Sequence, residues 1–153
     1  MNTCEPLTTE QWERALAFSR AKETPFQLIL SDVIETTFGH LKECLPFADI
    51  YYAVKANPNR EVLSLLDRLG SSFDVASIHE LHRLQELGVD PAKMSCGNTI
   101  KKHEHIRQFH EAGIDLFVTD SEGDLRNIAK AAPGARVMVR LFSEGAQTAD
   151  WPL

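Results

Sequence analysis

Cysteine is scarce in this sequence. Cys4, Cys44 and Cys96 are odd in number, far apart and form no C-x-x-C pair. That excludes a disulfide framework and a cysteine zinc site, and it fits a reducing, cytoplasmic setting. Long apolar runs are missing too. None approaches the roughly 18 residues of a membrane span. The opening stretch, Met1 to Ala15, has no basic start followed by an apolar core, so no secretory leader is expected. Positive charge is in short supply, with 16 Lys+Arg against 22 Asp+Glu and a net charge of −6. A nucleic-acid partner or an anionic membrane surface is therefore not expected. Eight glycines and seven prolines are ordinary counts, which removes collagen-like and low-complexity chains. No G-x-G-x-x-G follows any candidate strand, so a dinucleotide-binding fold loses support. With 43% hydrophobic residues over 153 positions, the chain can build one real core. It is too short for a complete (β/α)₈ barrel, which takes about 250 residues.

What is present is periodic. Thr8 and Gln11 fit a capping box at the head of a helix reaching about Lys22. Phe26 to Leu30 reads as a short strand. Ser31 or Asp32 caps a helix that runs to about Cys44 and stops before Pro46. From residue 50 the pattern becomes regular, with strands predicted at Ile50–Lys55, Ser72–Ala76, Lys93–Gly97, Leu116–Thr119 and Val137–Phe142. Helices fill the gaps. One is capped by Asn59, carries Val62, Leu65, Leu66 and Leu69, and ends at Gly70; the next is capped by Ser77, carries Ile78, Leu81, Leu84 and Leu87, and ends at Gly88. A third runs through Ile106 and Phe109 to Gly113. A fourth is capped by Asp120 or Ser121, carries Leu125, Ile128 and Ala129, and is broken by Pro133-Gly134. Strand starts near 50, 72, 94, 115 and 136 give a step of 21 or 22 residues. Strand–helix alternation forces parallel strands, and near-continuous apolar strands fit a sheet covered on both faces or closed on itself. Even steps favour a barrel over an open sheet. Ser143 to Leu153 reads as a loop.

In parallel α/β folds, sites form at the carboxyl ends of strands. Those ends carry Lys55 with Asn57, Asp74 with Ser77, Gly97 with Asn98, Thr119 with Asp120, and Arg140. Lys55 stands out, because an ammonium after Tyr-Tyr-Ala-Val is costly to desolvate unless it is used. Partial burial lowers a lysine pKa and frees the amine as a Schiff-base nucleophile. Asp74 on the next strand could hold or tune it, or the two could form a purely structural ion pair.

Tyr52-Ala53-Val54-Lys55-Ala56-Asn57-Pro58, followed by Ser72-Phe73-Asp74-Val75-Ala76-Ser77 and Glu80, resembles the pyridoxal-phosphate-dependent decarboxylases of basic amino acids. Gly97-Asn98-Thr99-Ile100-Lys101-Lys102, Ala131 to Arg136 and Ala149-Asp150-Trp151-Pro152-Leu153 look most like the bacterial ornithine decarboxylases of that family. The resemblance covers about residues 25 to 153. It implies an α/β fold, a partial (β/α)₈ TIM barrel of the alanine-racemase type. About five of eight βα units would be present, preceded by a helix and a short strand. Residues 1–24 would form the helical lead-in and 25–153 the first portion of the cofactor-binding barrel, without the family's C-terminal β domain, glycine-rich phosphate cradle or ring-stacking histidine.

The resemblance also implies roles. Lys55 matches the lysine that links to pyridoxal 5'-phosphate. Asp74 and Glu80 match acidic residues near that lysine. Ala53 matches a small residue packed beside the cofactor ring, and Arg140 an arginine facing the cofactor region. The implied reaction of the intact enzyme is decarboxylation of L-ornithine to putrescine and CO₂, in a homodimer, with the 153-residue chain alone inactive. Lysine, diaminopimelate or arginine decarboxylation, or less readily racemisation, is the alternative on the same scaffold. A truncated, non-catalytic homologue that binds a full-length subunit or a regulator is the alternative of another class.

Other signals point to packing or solvent. His79-Glu80-Leu81-His82 spaces its histidines three apart, whereas a zinc-protease helix needs four, so no metal is expected and Glu80 is placed at the barrel mouth. Lys101, Lys102, His103, Glu104, His105 and His110 read as a solvated helix face. Cys96 reads as a small buried apolar residue, and Tyr51 and Tyr52 as packing between strand and helices.

Overall fold

The computed structural model describes residues 7–141. The expected loop at 143–153 and the end of the last strand at Phe142 lie outside them. Helix α1 (Thr9–Arg20) opens with the expected capping box. The Thr8 hydroxyl accepts from the Gln11 N–H at 3.2 Å, and the Gln11 side chain accepts from the Thr8 N–H at 2.9 Å. No strand forms at Phe26–Leu30. The segment is irregular, because no strand among the described residues pairs with it and a short apolar run alone does not make a ladder. Helix α2 (Ser31–Cys44) also corrects the expected cap. Ser31 and Asp32 are inside the helix, and Leu30 occupies the cap position with no side-chain bond. Asp32 instead pairs with Arg14 and accepts from Gln11, tying α1 to α2.

The regular part follows. Strand β1 (Tyr51–Ala53) leads into α3 (Arg60–Arg68), β2 (Ser72–Val75) into α4 (Ile78–Glu86), β3 (Met94–Cys96) into α5 (His103–Glu111), β4 (Leu116–Thr119) into α6 (Glu122–Ala131), and β5 (Arg136–Val139) closes the described series. The five strands form one parallel sheet in sequential order, as expected of a partial (β/α)₈ barrel; a doubly wound sheet would reverse its order. Asn59, Ser77 and Ser121 cap α3, α4 and α6 as expected. Gly70, Gly88, Gly113 and Gly134 all take positive φ where each helix turns back toward the sheet, a conformation that costs other residues dearly.

The core lies between one sheet face and the helices. Phe73, Val75, Met94, Cys96 and Phe117 project from it and are 0–1% exposed, packed on Leu63, Leu66, Leu81, Leu84, Ile106, Phe109 and Ile128. The opposite face differs. In register across the strands it presents Ala53, Asp74, Ser95, Leu116 and Arg136. Strand β2 alternates in burial residue by residue, whereas β3 is buried at all three of its positions. Of the two arrangements expected, a sheet covered on both faces or one closed on itself, the second fits: this face sets Asp74, Ser95 and Arg136 among apolar Ala53 and Leu116. It is the face that a closed barrel turns inward.

Candidate active site at the carboxyl ends of the strands

The site begins with a change of conformation. Strand β1 ends at Ala53, and Val54–Ala56 forms one 3₁₀ turn before Asn57 and the cap of α3. Val54 points into the core while Lys55 is lifted out of the sheet and is exposed. The expected partial burial of Lys55 is thus corrected, because the turn carries its side chain beyond the end of the strand. Among the described residues Lys55 forms no ion pair, so the structural Lys55–Asp74 bridge is absent from this arrangement. Lys55 instead shares a cavity of about 190 Å³ with Pro58, Ser77, His79, Glu80 and Arg83.

Asp74 lies beside it on β2, in register with Ala53 on one side and Ser95 on the other. Ser95 Oγ donates to Asp74 Oδ1 at 2.7 Å. Burial pushes the Asp74 carboxyl above the usual carboxylate range; the Ser95 bond and the charge of Lys55 oppose that shift, and Glu80 adds to it. The carboxylate therefore feels both Lys55 and Glu80. Glu80 is positioned by the start of α4. Its carboxylate accepts from the Ala76 N–H at 2.8 Å and from the Ser77 hydroxyl at 3.2 Å, and its own N–H donates to Ser77 Oγ at 3.3 Å. This reciprocal cap holds Glu80 at the mouth.

Asn98 joins the same rim, its amide donating to the Ala76 carbonyl at 3.2 Å. Thr119 is buried, and its hydroxyl serves the following turn by donating to the Ser121 carbonyl at 3.2 Å. Arg140 follows β5, exposed, held through its backbone N–H to the Thr119 carbonyl at 2.8 Å. The structure thus gathers Lys55, Asp74 and Glu80 around β1 and β2, with Ala53 in register beside Asp74. Arg140 stands three strands away from Asp74 along the sheet.

Two residues escaped the sequence reading. Ser95 is a polar residue inside an apolar strand, and its in-register partner Asp74 becomes visible only once the strands are paired. Lys101 was expected in a solvated face and is buried. Its ammonium donates to the Asn98 and Val118 carbonyls at 2.7 and 2.8 Å and to Asp124 at 2.6 Å, with side-chain exposures of 1% and 8% for the pair. The available signal was a cation immediately before a helix start, where the dipole disfavours it. Cys96 is buried, as expected, and burial pushes its thiol up to about 12, far from the thiolate that nucleophilic chemistry needs.

A family model described as the pyridoxal-binding domain of the pyridoxal-dependent decarboxylases matches residues 31–152. The chain belongs to this family. This pyridoxal-binding domain is 41% identical over 118 residues to a lysine/ornithine decarboxylase of Selenomonas ruminantium, covering 77% of the chain and 30% of that protein. It is 34% identical over 115 residues to the ornithine decarboxylase of Rattus norvegicus, covering 75% and 25%. It is also 30% identical over 119 residues to antizyme inhibitor 2 of Xenopus laevis, covering 78% and 26%. Among solved structures, that of SrLDC in complex with PLP and cadaverine overlays with a TM-score of 0.80 at 34% identity, over 94% of the chain and 37% of its own. The lysine/ornithine decarboxylase of Vibrio vulnificus complexed with putrescine gives 0.80 at 28% identity, over 91% and 39%. The chain spans about a third or less of the length of these curated relatives. No described helix is long and apolar enough to cross a membrane.

Proposed function

We propose that this domain carries the cofactor-attachment lysine of a pyridoxal-phosphate-dependent decarboxylase of basic amino acids, with L-ornithine as substrate and putrescine and CO₂ as products. The observation that carries the reading is Lys55: an exposed primary amine at the carboxyl end of β1, unpaired among the described residues, with Asp74 beside it on the neighbouring strand. The residues fit the group. A reactive amine meets an aldehyde only if no carboxylate ties it down, and Ala53 and Ser95, which flank Asp74 in register, are small enough to leave the inner face open to a flat ring.

When bound, pyridoxal phosphate supplies the aldehyde that captures amines and the electron-accepting ring that makes loss of CO₂ feasible. The chain supplies the rest. Lys55 would hold the cofactor through its primary amine, presented on the exposed 3₁₀ turn after β1. Asp74 keeps a carboxylate near that amine and can hold a proton there, since burial favours its protonated form. Glu80, fixed to Ala76 and Ser77, keeps the Lys55–Asp74 rim in shape and adds negative charge on the side a basic substrate approaches. Arg140 offers positive charge from the far side of the sheet. A homodimer is the proposed assembly of the intact enzyme.

The test is chemical labelling. The 153-residue chain is incubated with pyridoxal phosphate, reduced with borohydride and mapped by mass spectrometry. Label concentrated on Lys55 supports the reading, and Lys55→Arg should abolish it. Label spread evenly over exposed lysines such as Lys42, Lys102 and Lys130 overturns it. The match to antizyme inhibitor 2 favours a second reading, a non-catalytic homologue that binds a full-length subunit or a regulator. Co-elution with a full-length homologue, without selective labelling of Lys55, would favour it.

A further inference from the structure

We propose that Ser95 and Gly97 are positioning residues that lock the Asp74 carboxylate in place beside the Lys55 end of β1, an inference that rests on Lys55 being the attachment lysine. Ser95 occupies the middle of β3 between Met94 and Cys96, and is 4% exposed. A buried hydroxyl costs stability unless it is bonded. Among the described residues its one side-chain bond goes to Asp74 Oδ1, at 2.7 Å. Nothing in the packing of β3 asks for that oxygen, so what it supplies is the orientation of Asp74.

Gly97 supplies the other half. Unlike Gly70, Gly88, Gly113 and Gly134, it does not take a positive φ, so its backbone does not call for glycine. Space does. A Cβ on Gly97 would fall on the Asp74 carboxylate, 2.6 Å from its Cγ. The absent side chain is the volume that the carboxylate fills. Ser95 anchors one oxygen and Gly97 leaves the volume that both oxygens occupy, so one side-chain orientation is selected.

That orientation matters because of what surrounds it. The charged groups acting on Asp74 are Lys55, from the turn after β1, and Glu80, from the first turn of α4. The carboxyl group is thus held in one orientation near an attachment amine and a second carboxylate. Let it swing away, and the charge pattern around Lys55 changes while Lys55 keeps its own place on the 3₁₀ turn. Capture of an aldehyde at Lys55, and the pH dependence of that capture, then depend on Ser95 and Gly97 although neither supplies the reacting atom.

The experiment uses the 153-residue chain as wild type, Ser95→Ala, Ser95→Thr and Gly97→Ala. Two readouts are taken: the carboxyl-carbon NMR titration of Asp74 without cofactor, and the pH profile of pyridoxal phosphate capture at Lys55, trapped with borohydride. Ser95→Ala should move the Asp74 titration upward, because a hydrogen bond to the ionised form is lost, and should slow capture about tenfold. Ser95→Thr, which keeps the hydroxyl, should restore both. Gly97→Ala should give a folded chain with a displaced Asp74 resonance and a similar loss of capture, since a short half-buried carboxylate can move aside. Titrations and capture profiles that superimpose on wild type in both Ser95→Ala and Gly97→Ala would overturn the proposal. A wild-type chain that captures no cofactor at Lys55 overturns the attachment reading instead, and the NMR titration then decides the positioning on its own.

Discussion

Lys101 sits in a polar sequence stretch yet is buried against Asp124, and replacing it tests the architecture of the rim. In Lys101→Met the apolar stem is kept and the ammonium removed. Three acceptors then lose their donor together: the Asp124 carboxylate and the Asn98 and Val118 carbonyls. Asp124 is 8% exposed, so an uncompensated charge would be left in a poorly hydrated place. Breaking a buried pair from one side costs about 3–5 kcal/mol. The position of Asp124 in the first turn of α6 offsets part of this, about 0.5 kcal/mol, through the helix dipole. With a urea slope of about 2 kcal/mol/M, the unfolding midpoint should fall by about 1.2–2.2 M. In Lys101→Met/Asp124→Leu no buried charge remains, and about 0.5–2.5 kcal/mol of the loss should be recovered, the rest being about 1 kcal/mol for each of the two carbonyls left without a donor. Urea unfolding followed by circular dichroism reads both variants. A Lys101→Met midpoint within about 0.5 M of wild type would refute the reasoning, since it would mean that the ammonium exchanges its partners for water without penalty.

Two other outcomes are expected. Cys44 is exposed and Cys96 is buried with its thiol pushed up to about 12, so alkylation of the native chain mapped by peptide should mark Cys44 and spare Cys96 until denaturant is added; equal rates would contradict the burial. Asp74 holds its proton to a higher pH folded than unfolded, so the folded state binds more protons within that window. The sign of the linkage is then negative: stability from this group is present below the ordinary carboxylate pKa and is lost as pH rises through the folded value. Asp74→Asn should therefore stabilise the chain at neutral pH and remove that decline. Urea midpoints that drop at neutrality in the variant would show that the charged form is favoured in the folded state.

Much of the fold was legible because it depends on local chemistry. Caps at Thr8, Asn59, Ser77 and Ser121 and left-handed glycines at 70, 88, 113 and 134 act within one turn, so residue type and spacing suffice to place them. The even strand–helix step implied parallel strands in sequential order for the same reason, and the Tyr52–Pro58 motif pointed to Lys55. The failures were of another kind. Whether Phe26–Leu30 is a strand depends on a partner elsewhere in the chain. Whether Lys101 meets water depends on Asp124, which is 23 residues away and folds over it. That Ser95 addresses Asp74, and that Gly97 makes room for it, is a property of the β2–β3 register. A sequence by itself determines where the backbone turns, what it caps and which faces are apolar. Which polar groups meet across the inner face, and so which of them surround Lys55, was decided by the tertiary structure, because those contacts join residues that only strand pairing brings side by side.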